Sequence, residues 1–368
     1  MNKKLKINFL VYNPDLGGGD RVTAMHAGYL KKKGHDVTVS ALKAKPASLF
    51  YRIKRYLRTG NFGKSSFTTA YFDRVGVPLN VIENKNRIDE ADVPDSDILI
   101  ATYWLTAEWA MTMPLAKGAK AYFIQGYESL FPFSHTERVN ATYRAPFGKI
   151  VISSWLDGVM RRDFDTPPIA KVPNSVDMIQ FHADPRGKHA PPCVGFLYGD
   201  SDNKGVDVTL KAIEKMQAEI PELKVMTFGA SHVTETLPLP QNCEYHYKPD
   251  QEKIRDLYAK CDVWMSGSRM EGFNLTILEA MACRTPVVAT KAGAAPDLIE
   301  SGAQGYVVSL EDSNALAEKA LHILNLTEPE WQRMSDAAYE TATRYTWDDA
   351  GALFEAALYE IARADGRI

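Results

Sequence analysis

The sequence predicts an α/β protein of two Rossmann-like domains, each built on a doubly wound parallel sheet. Three observations carry this: a length of 368 residues, a strand–glycine turn–helix–strand unit at the start, and a second run of alternating strands and helices after a proline-rich stretch. A chain of this length exceeds one ordinary core and suits two domains of roughly 150 to 200 residues. Apolar residues at 45% and charged residues at 24% are the balance of a globular chain and exclude a disordered one.

KINFLVY reads as a strand ending in NPDLGGGD, and RVTAMHAGYLKKKG follows with helical apolar spacing and a Lys-rich, glycine-terminated end. HDVTVSAL supplies the next strand, and a βαβ unit of this kind builds a parallel sheet. Residues 97–103, 119–125 and 149–154 add strands to the first domain. PPIAKVPNSVDMIQFHADPRGKHAPP is weakly periodic and reads as an interdomain linker. A second cycle follows: PPCVGFLYGD (strand), VDVTLKAIEKMQAEIP (helix, with Val208, Leu210, Ile213 and Met216 on its apolar face), LKVMTFGA (strand), DQEKIRDLYAKC (helix), DVWMSGS (strand), LTILEAMACR (helix), TPVVAT (strand), APDLIESG (helix) and GYVVS (strand). The expected domains are 1–170 and 171–345, with a C-terminal helix over 346–368 returning to the first. No short-period repeat suggests a solenoid or propeller.

The net charge of −3 conceals an asymmetry. Residues 1–170 carry 24 Lys and Arg against 16 Asp and Glu, net +8, and the remainder 19 against 30, net −11. The basic excess peaks between Lys43 and Lys64, where Lys43, Lys45, Arg52, Lys54, Arg55, Arg58 and Lys64 occur with no acidic residue. Within it, SLFYRIKRYLR sets Leu49, Phe50, Ile53 and Leu57 at helical spacing among the cations. That describes an amphipathic helix able to lie on an anionic membrane surface, or equally a core-packed helix with a solvated basic face. No apolar run reaches the length of about 18 residues that a membrane span needs, and the N-terminus shows no small-residue cleavage site. The expected location is cytoplasmic, with residues 43–64 as the candidate peripheral contact on the inner membrane face, and no nucleic acid is expected as a partner. Cys193, Cys243, Cys261 and Cys283 show no CxxC spacing, so neither zinc nor a disulfide framework is expected.

The most informative stretch is SGSRMEGFNLTILEAMACRTPVVATKAGAAPDLIE, over residues 266–300. A strand ends in a loop, Asn274 is a plausible N-cap, and the helix from about Leu275 opens with backbone amides directed at the strand ends. That geometry suits a diphosphate. Glu271 precedes the helix and can point to the crevice at the carboxyl ends of the strands, where open α/β sheets bind ligands. Glu279, within the helix, can reach toward the same ligand, and a carboxylate can accept hydrogen bonds from two vicinal ribose hydroxyls. Spacing alone equally allows Glu271 to be a solvated loop charge and Glu279 a member of a local network.

EGFNLTILEAMACRTPVVA closely resembles the donor-binding motif of family-four retaining glycosyltransferases of GT-B fold, two glutamates separated by seven residues and followed by Ala-Met-Ala and Pro-Val-Val. The resemblance implies two Rossmann-like domains facing across a cleft. It places Glu271 beside the donor sugar, Glu279 on the nucleotide ribose, and the amides of Phe273, Asn274, Leu275 and Thr276 on the diphosphate. Asn274 and Arg284 stand where the family usually has glycine. GGGDR (Gly18 and Gly19 as donor-side contacts), PNSVD, NKGVDVTLKA and AGAAPDLIESGAQGYVV resemble further family segments, in the expected order across nearly the whole chain. The family's lysine before glycine falls on Lys204, facing the diphosphate, where a cation stabilises charge on the leaving group. The family's arginine about five residues earlier is missing. That register reads YGDSD, leaving Gly199 and Ser201, or another basic group, on the phosphate side.

FIQGYESLFP resembles a Gln-x-x-Glu variant seen among some bacterial polysaccharide and rhamnosyl transferases, and it marks Gln125, Tyr127 and Glu128 as acceptor-side candidates. The alternative is a helix start in which Glu128 compensates the dipole. Asp95-Ser-Asp97 and Asp163-Phe-Asp165 look like metal-binding DxD pairs, but the first immediately precedes a strand and the second lies in a linker, so no metal and no cofactor are expected.

The implied reaction moves a sugar from a nucleoside diphosphate to an acceptor hydroxyl with retention. UDP is the first expectation and dTDP or GDP the next, with a glycan or lipid-linked acceptor in polysaccharide biosynthesis. The alternatives are a non-catalytic nucleotide-sugar-binding protein and a GT-B nucleotide-sugar epimerase. A nicotinamide dehydrogenase fits less well, because the glycine loop lacks GxGxxG spacing and no acidic ribose ligand follows at the expected distance.

Overall fold

Short runs of Val, Ile, Leu, Phe and Ala, apolar on both faces, are what buried parallel strands require, and they form two separate sheets. The computed structural model describes residues 3–45, 67–131 and 135–368. These divide into two units: unit 1 comprises Met1–Val151, Asp157–Val172 and Asp348–Ile368, and unit 2 comprises Ile152–Leu156 and Pro173–Trp347.

Unit 1 contains β1 (Lys6–Tyr12), β2 (Asp36–Leu42), β3 (Leu79–Ile82), β4 (Ile98–Ala101), β5 (Ala119–Ile124), β6 (Gly148–Val151) and β7 (Ala170–Lys171). All pair in parallel, in the order β3-β2-β1-β4-β5-β6-β7, so the winding reverses between β1 and β4. All four residues of β4 are buried. The helix Gly18–Lys32 joins β1 to β2, with Asp20 in its first turn and Lys31 and Lys32 in its last, as its dipole favours. The C-terminal helix Trp347–Ala364 packs on this unit from residue 348 onward. Phe354 anchors it, stacked on His26 with ring centroids 4.3 Å apart and set edge-on to Phe123 at 5.0 Å. A Cβ on Gly351 would lie 2.3 Å from the Tyr29 ring, so the missing side chain is what lets the two helices approach.

Unit 2 contains β8 (Cys193–Tyr198), β9 (Lys224–Gly229), β10 (Cys243–Tyr247), β11 (Val263–Ser266), β12 (Val287–Thr290) and β13 (Gly305–Val308). They too are parallel, in the order β10-β9-β8-β11-β12-β13, with the reversal between β8 and β11. The core gathers Val194, Phe196, Val263 and Met265 from the sheet, Ile213 and Met216 from the helix Val206–Glu219, and Leu316 and Ile323 from the helix Ser313–Asn325. Trp331 closes it, its indole N–H donating to the Asp262 carbonyl at 2.9 Å.

Several expectations change. The strands expected over 97–103 and 149–154 stop at Ala101 and Val151. Past Ala101, the amides of Thr102 and Tyr103 turn to the Thr106 hydroxyl at 3.1 and 3.0 Å and start the helix Trp104–Met111. Asp163 lies in the last turn of the helix Ser154–Phe164, not in a linker, and pairs with Arg162. Asp97 accepts the Lys6 amide at 2.8 Å, and Asp95 pairs with Lys117 at 2.9 Å. Among the described residues no group of three or more His, Cys, Asp or Glu could hold a metal ion, and no helix is long and apolar enough to cross a membrane. The basic segment expected over 43–64 lies, from residue 46, outside the described residues; Lys43 pairs with Glu83 at 2.8 Å.

Candidate functional site

In unit 2 the loops leaving β8 and β11 diverge at the reversal of strand order, the place where doubly wound sheets bind ligands. Two glycines bring these loops together. Gly205 holds φ +53°, and a Cβ there would lie 1.9 Å from the Gly267 carbonyl oxygen. A Cβ on Gly267 would in turn meet the Thr209 hydroxyl at 2.6 Å. The Asn203 carbonyl then accepts the amides of Arg269 and Met270 at 2.9 and 3.3 Å. A backbone contact this close is open only to glycine, which also supplies the left-handed conformation at Gly205.

That approach sets Lys204 against Glu271. The ammonium donates to both carboxylate oxygens, at 2.9 and 3.2 Å, and the Ser268 hydroxyl donates to the same carboxylate at 2.9 Å. A chain of polar groups continues inward. Ser268 and Ser266 share a hydrogen bond of 3.2 Å, the Asn274 amide donates to the Ser266 hydroxyl at 2.9 Å, and the Thr276 hydroxyl donates to Asn274 Oδ1 at 2.7 Å. The small cavity beside this chain, about 10 Å³, is lined by Lys204, Glu271, Asn274 and Thr276 among others, and Lys204 is the one cation among its described lining residues. At that size it holds about one water molecule.

Asn274 is the N-cap of the helix Leu275–Ala282, as expected, but its side chain makes no capping bond, being turned to Ser266 and Thr276. The Asn274 side chain thus leaves the amides of Leu275 and Thr276 uncapped, while the Ile277 amide donates to the Asn274 carbonyl at 3.1 Å. Asn274 holds φ +78° and Arg284 φ +60°. The two positions where the family usually has glycine are thus both left-handed, and asparagine is among the few other residues that adopt this readily. Arg284 is held by packing, its guanidinium 4.2 Å over the Tyr339 ring and its Nε donating to the Ala183 carbonyl at 3.1 Å. Phe273 is buried and Leu275 half-buried. Gly293, at φ +61°, lies under the Glu271 turn, where a Cβ would come within 2.8 Å of the Glu271 side chain.

Glu279 does not line the small cavity. It is buried one turn further along, where its Oε2 accepts the Tyr258 hydroxyl at 2.8 Å. Gly199 lies under the Lys204 stem, and Ser201 is exposed ahead of the short helix Asp202–Lys204. No arginine is among the described residues lining this cavity. Arg269, the nearest in sequence to Glu271, has its guanidinium on Asp207 at 2.8 and 2.9 Å and on Glu311, pairs that hold its pKa above the ordinary value. Sequence reasoning missed Ser266, Ser268 and Arg269; the Ser-x-Ser repeat at a strand end was the available signal.

Unit 1 has its own site at its own reversal point. A cavity of about 340 Å³ is lined by Tyr12, Asp15, Asp20, Tyr103, Gln125 and Glu128 among others, including Gly17 and Gly19. Gly18 and Gly19 open the helix Gly18–Lys32, and a Cβ on Gly19 would lie 3.6 Å from Gln125 Oε1. Gln125 donates to the Thr23 hydroxyl at 3.1 Å. Tyr127 does not line this cavity; its ring packs edge-on to Phe164 at 6.1 Å. Glu128 is buried, its Oε2 accepting the Trp104 amide and the Tyr122 hydroxyl, each at 2.8 Å. It therefore lies at the N-terminus of the helix Trp104–Met111, remote in sequence, and not only at its own short turn. Burial pushes the Glu128 carboxyl up to about 8 and the Asp20 carboxyl up to about 6.

Two doubly wound domains, each with polar groups gathered at the point where its strand order reverses, define the GT-B fold class. The Anabaena protein HepE, solved with UDP-glucose, superposes with a TM-score of 0.70 at 17% identity, covering 99% of this chain and 100% of that one. A glycosyltransferase from Rickettsia africae gives 0.67 at 15% identity over 98% and 99%. Residues 192–326, the greater part of unit 2, match the glycosyl transferases group 1 family. N-acetyl-alpha-D-glucosaminyl L-malate synthase of Bacillus anthracis is 25% identical over 169 residues, 44% of each chain. The lipopolysaccharide core biosynthesis mannosyltransferase LpcC of Rhizobium leguminosarum is 31% identical over 140 residues, 35% of this chain and 39% of that one. The chain thus spans less than half the length of these curated relatives.

Proposed function

We propose that the chain is a retaining glycosyltransferase that moves a sugar from a nucleoside diphosphate, UDP first and dTDP or GDP next, to a hydroxyl of a glycan or lipid-linked acceptor in cell-surface glycoconjugate assembly. The observation that carries the reading is the Lys204–Glu271 pair, at 2.9 Å, beside an uncapped helix end where the strand order reverses. An entering diphosphate competes with Glu271 for the Lys204 ammonium and takes up the free helix amides. Glu271, released from Lys204, is left to face the sugar ring.

In the reaction the bond between the anomeric carbon and the phosphate oxygen breaks, and the nucleoside diphosphate leaves with the electron pair. The acceptor oxygen bonds to the anomeric carbon on the same face, and its proton passes to the departing phosphate oxygen. Lys204 and the amides of Leu275 and Thr276 stabilise the charge that builds on the leaving group, while Glu271 stabilises positive charge on the ring. Glu279 serves the ribose hydroxyls, exchanging its bond with Tyr258 for them. Residues 43–64 supply contact with an anionic membrane surface, tested by vesicle sedimentation with Lys54, Arg55 and Arg58 changed to Glu.

Support comes from the family that residues 192–326 match and from a relative that is itself named a mannosyltransferase. The test is a thermal-shift screen against UDP, GDP, dTDP and ADP, since a ligand that binds only the folded state raises the melting temperature, followed by assay of the cognate nucleotide sugar. Stabilisation by one nucleotide with transfer to an acceptor supports the reading. Stabilisation with no turnover points to a non-catalytic binding protein, and conversion of the donor alone to an isomer points to an epimerase.

A further inference from the structure

The proposed transfer needs Lys204 and Glu271 held at a fixed separation, yet one stands on the segment after β8 and the other on the loop after β11. Arg269 joins the two. Its amide donates to the Asn203 carbonyl at 2.9 Å, and its guanidinium Nη1 donates to the Asp202 carbonyl at 2.9 Å and to Asp202 Oδ1 at 3.2 Å. Nη1 and Nη2 grip the Asp207 carboxylate in a fork, at 2.8 and 2.9 Å. Nε and Nη2 grip the carboxylate of Glu311, beyond β13, in a second fork. A residue two places before Glu271 thus holds residues on both sides of Lys204 and ties in a third loop.

An exposed ion pair ordinarily contributes little. Here all three guanidinium nitrogens are engaged, and the two forks use a planar geometry that arginine has and lysine lacks. Glu311 is held at φ +61°, a left-handed backbone that costs a glutamate energy and persists where surrounding bonds fix it. Charge matters as well. Asp202 and Asp207 flank Lys204 in the chain, and a carboxylate left unpaired there would compete with Glu271 for the ammonium and repel an entering diphosphate. Asp202 is largely exposed and screened by water, so Asp207 is the stronger of the two. The Arg269 bonds hold the Asp207 carboxyl below its usual pKa, so it stays ionised beside this counter-charge. Lys211, one turn along the same helix, reaches Asp207 only at 3.7 Å, beyond hydrogen-bond range.

We propose, on the footing of the transferase reading, that Arg269 is a positioning residue. It touches no substrate; by clamping the residues on either side of Lys204 and neutralising Asp207, it fixes the Lys204 ammonium against Glu271 and keeps it available to the donor diphosphate.

The test is titration calorimetry on the full chain with UDP, GDP, dTDP and ADP, carried forward with the nucleotide that binds the wild type. Arg269→Gln is expected to weaken that nucleotide by at least about tenfold. Asp207→Asn added to Arg269→Gln is expected to recover at least about threefold, because the carboxylate that arginine neutralised is gone. Loosened loops alone would weaken binding with no such recovery. Urea denaturation establishes that each variant is folded. If Arg269→Gln does not fold, Arg269→Lys takes its place in both measurements, since one ammonium cannot form two forks. Wild-type affinity in the folded Arg269 variant, or a loss that Asp207→Asn leaves unchanged, would overturn the inference. The wild-type titration separates the two claims. Binding by the wild type with either of those results removes only this inference, whereas no binding by any of the four nucleotides removes the transferase reading itself, and this inference with it.

Discussion

At the residue scale, the Lys204–Glu271 pair concentrates the chemistry. Lys204→Ala is expected to lower transfer by about 10²- to 10³-fold, the usual loss when one preorganised charge-stabilising group is removed. Steady-state kinetics checks it, and Glu271→Gln with near-normal turnover would remove the proposed role of that carboxylate. Asn274, at φ +78°, gives a second test. Asn274→Gly should cost about 1 kcal/mol in urea denaturation through the lost bonds to Ser266 and Thr276, whereas Asn274→Val should cost about 1–3 kcal/mol more, because a β-branched residue is strained in the left-handed region. Three groups of unit 1 set a pH profile. Glu128 has its folded pKa raised from 4.5 to about 8 by burial, so its contribution is full below about 4.5 and is lost as pH rises through 8. Asp20, raised by burial from 3.8 to about 6, likewise loses its contribution as pH rises through 6. His26 has its folded pKa lowered from 6.5 to about 3, also by burial, so its contribution is present above 6.5 and is lost as pH falls toward 3. His26 offsets one of the two falling slopes below about 6 and the single remaining one between about 6 and 6.5. Stability of unit 1 should fall by up to about 1.4 kcal/mol per pH unit from about 4.5 to 6, pause, and fall again from about 6.5 to 8. Urea midpoints from pH 4 to 9 test this, and Glu128→Gln should flatten the alkaline limb.

At the element scale, the site depends on two loops held closer than a side chain at Gly205 or Gly267 would permit. Gly205→Ala should destabilise unit 2 by about 1–3 kcal/mol and diminish any nucleotide-induced thermal shift, through the contact with the Gly267 carbonyl and the positive φ. A normal shift would mean that Lys204 reaches its ligand without this clasp. The sequence reads well where an element is buried on both faces: β4, β8 and β12 are short apolar runs between turn signals. It reads poorly at sheet edges. β10, CEYHY, is half exposed and polar at alternate positions, β3 has one buried residue in four, and β7 is two residues long. Edge strands draw their identity from a neighbour's hydrogen bonds, which no local pattern reports. Glu271 and Glu279 were legible through the motif around them. Their different fates, one at the loop mouth and one bonded to Tyr258, depend on residues far away in the chain.

At the scale of the whole molecule, the chain does not divide at one point. Residues 348–368 pack on unit 1 although they follow unit 2 in sequence. Phe354 is fully buried there against Phe9, His26 and Phe123, so Phe354→Ala should cost about 3–5 kcal/mol. Chain truncated after residue 346 should lose the cooperative unfolding of unit 1, as read by hydrogen exchange at β1 and β5. The return of the last helix is a tertiary event with no local signal beyond its amphipathic pattern. Titration calorimetry of UDP, GDP, dTDP and ADP into the intact chain and into Lys204→Ala tests the nucleotide site most directly. One nucleotide is expected to bind the wild type, and the substitution to weaken it by at least about tenfold, the loss of one charge-assisted contact. Equal affinity for both proteins, or no binding by any of the four, would contradict the assignment of that site.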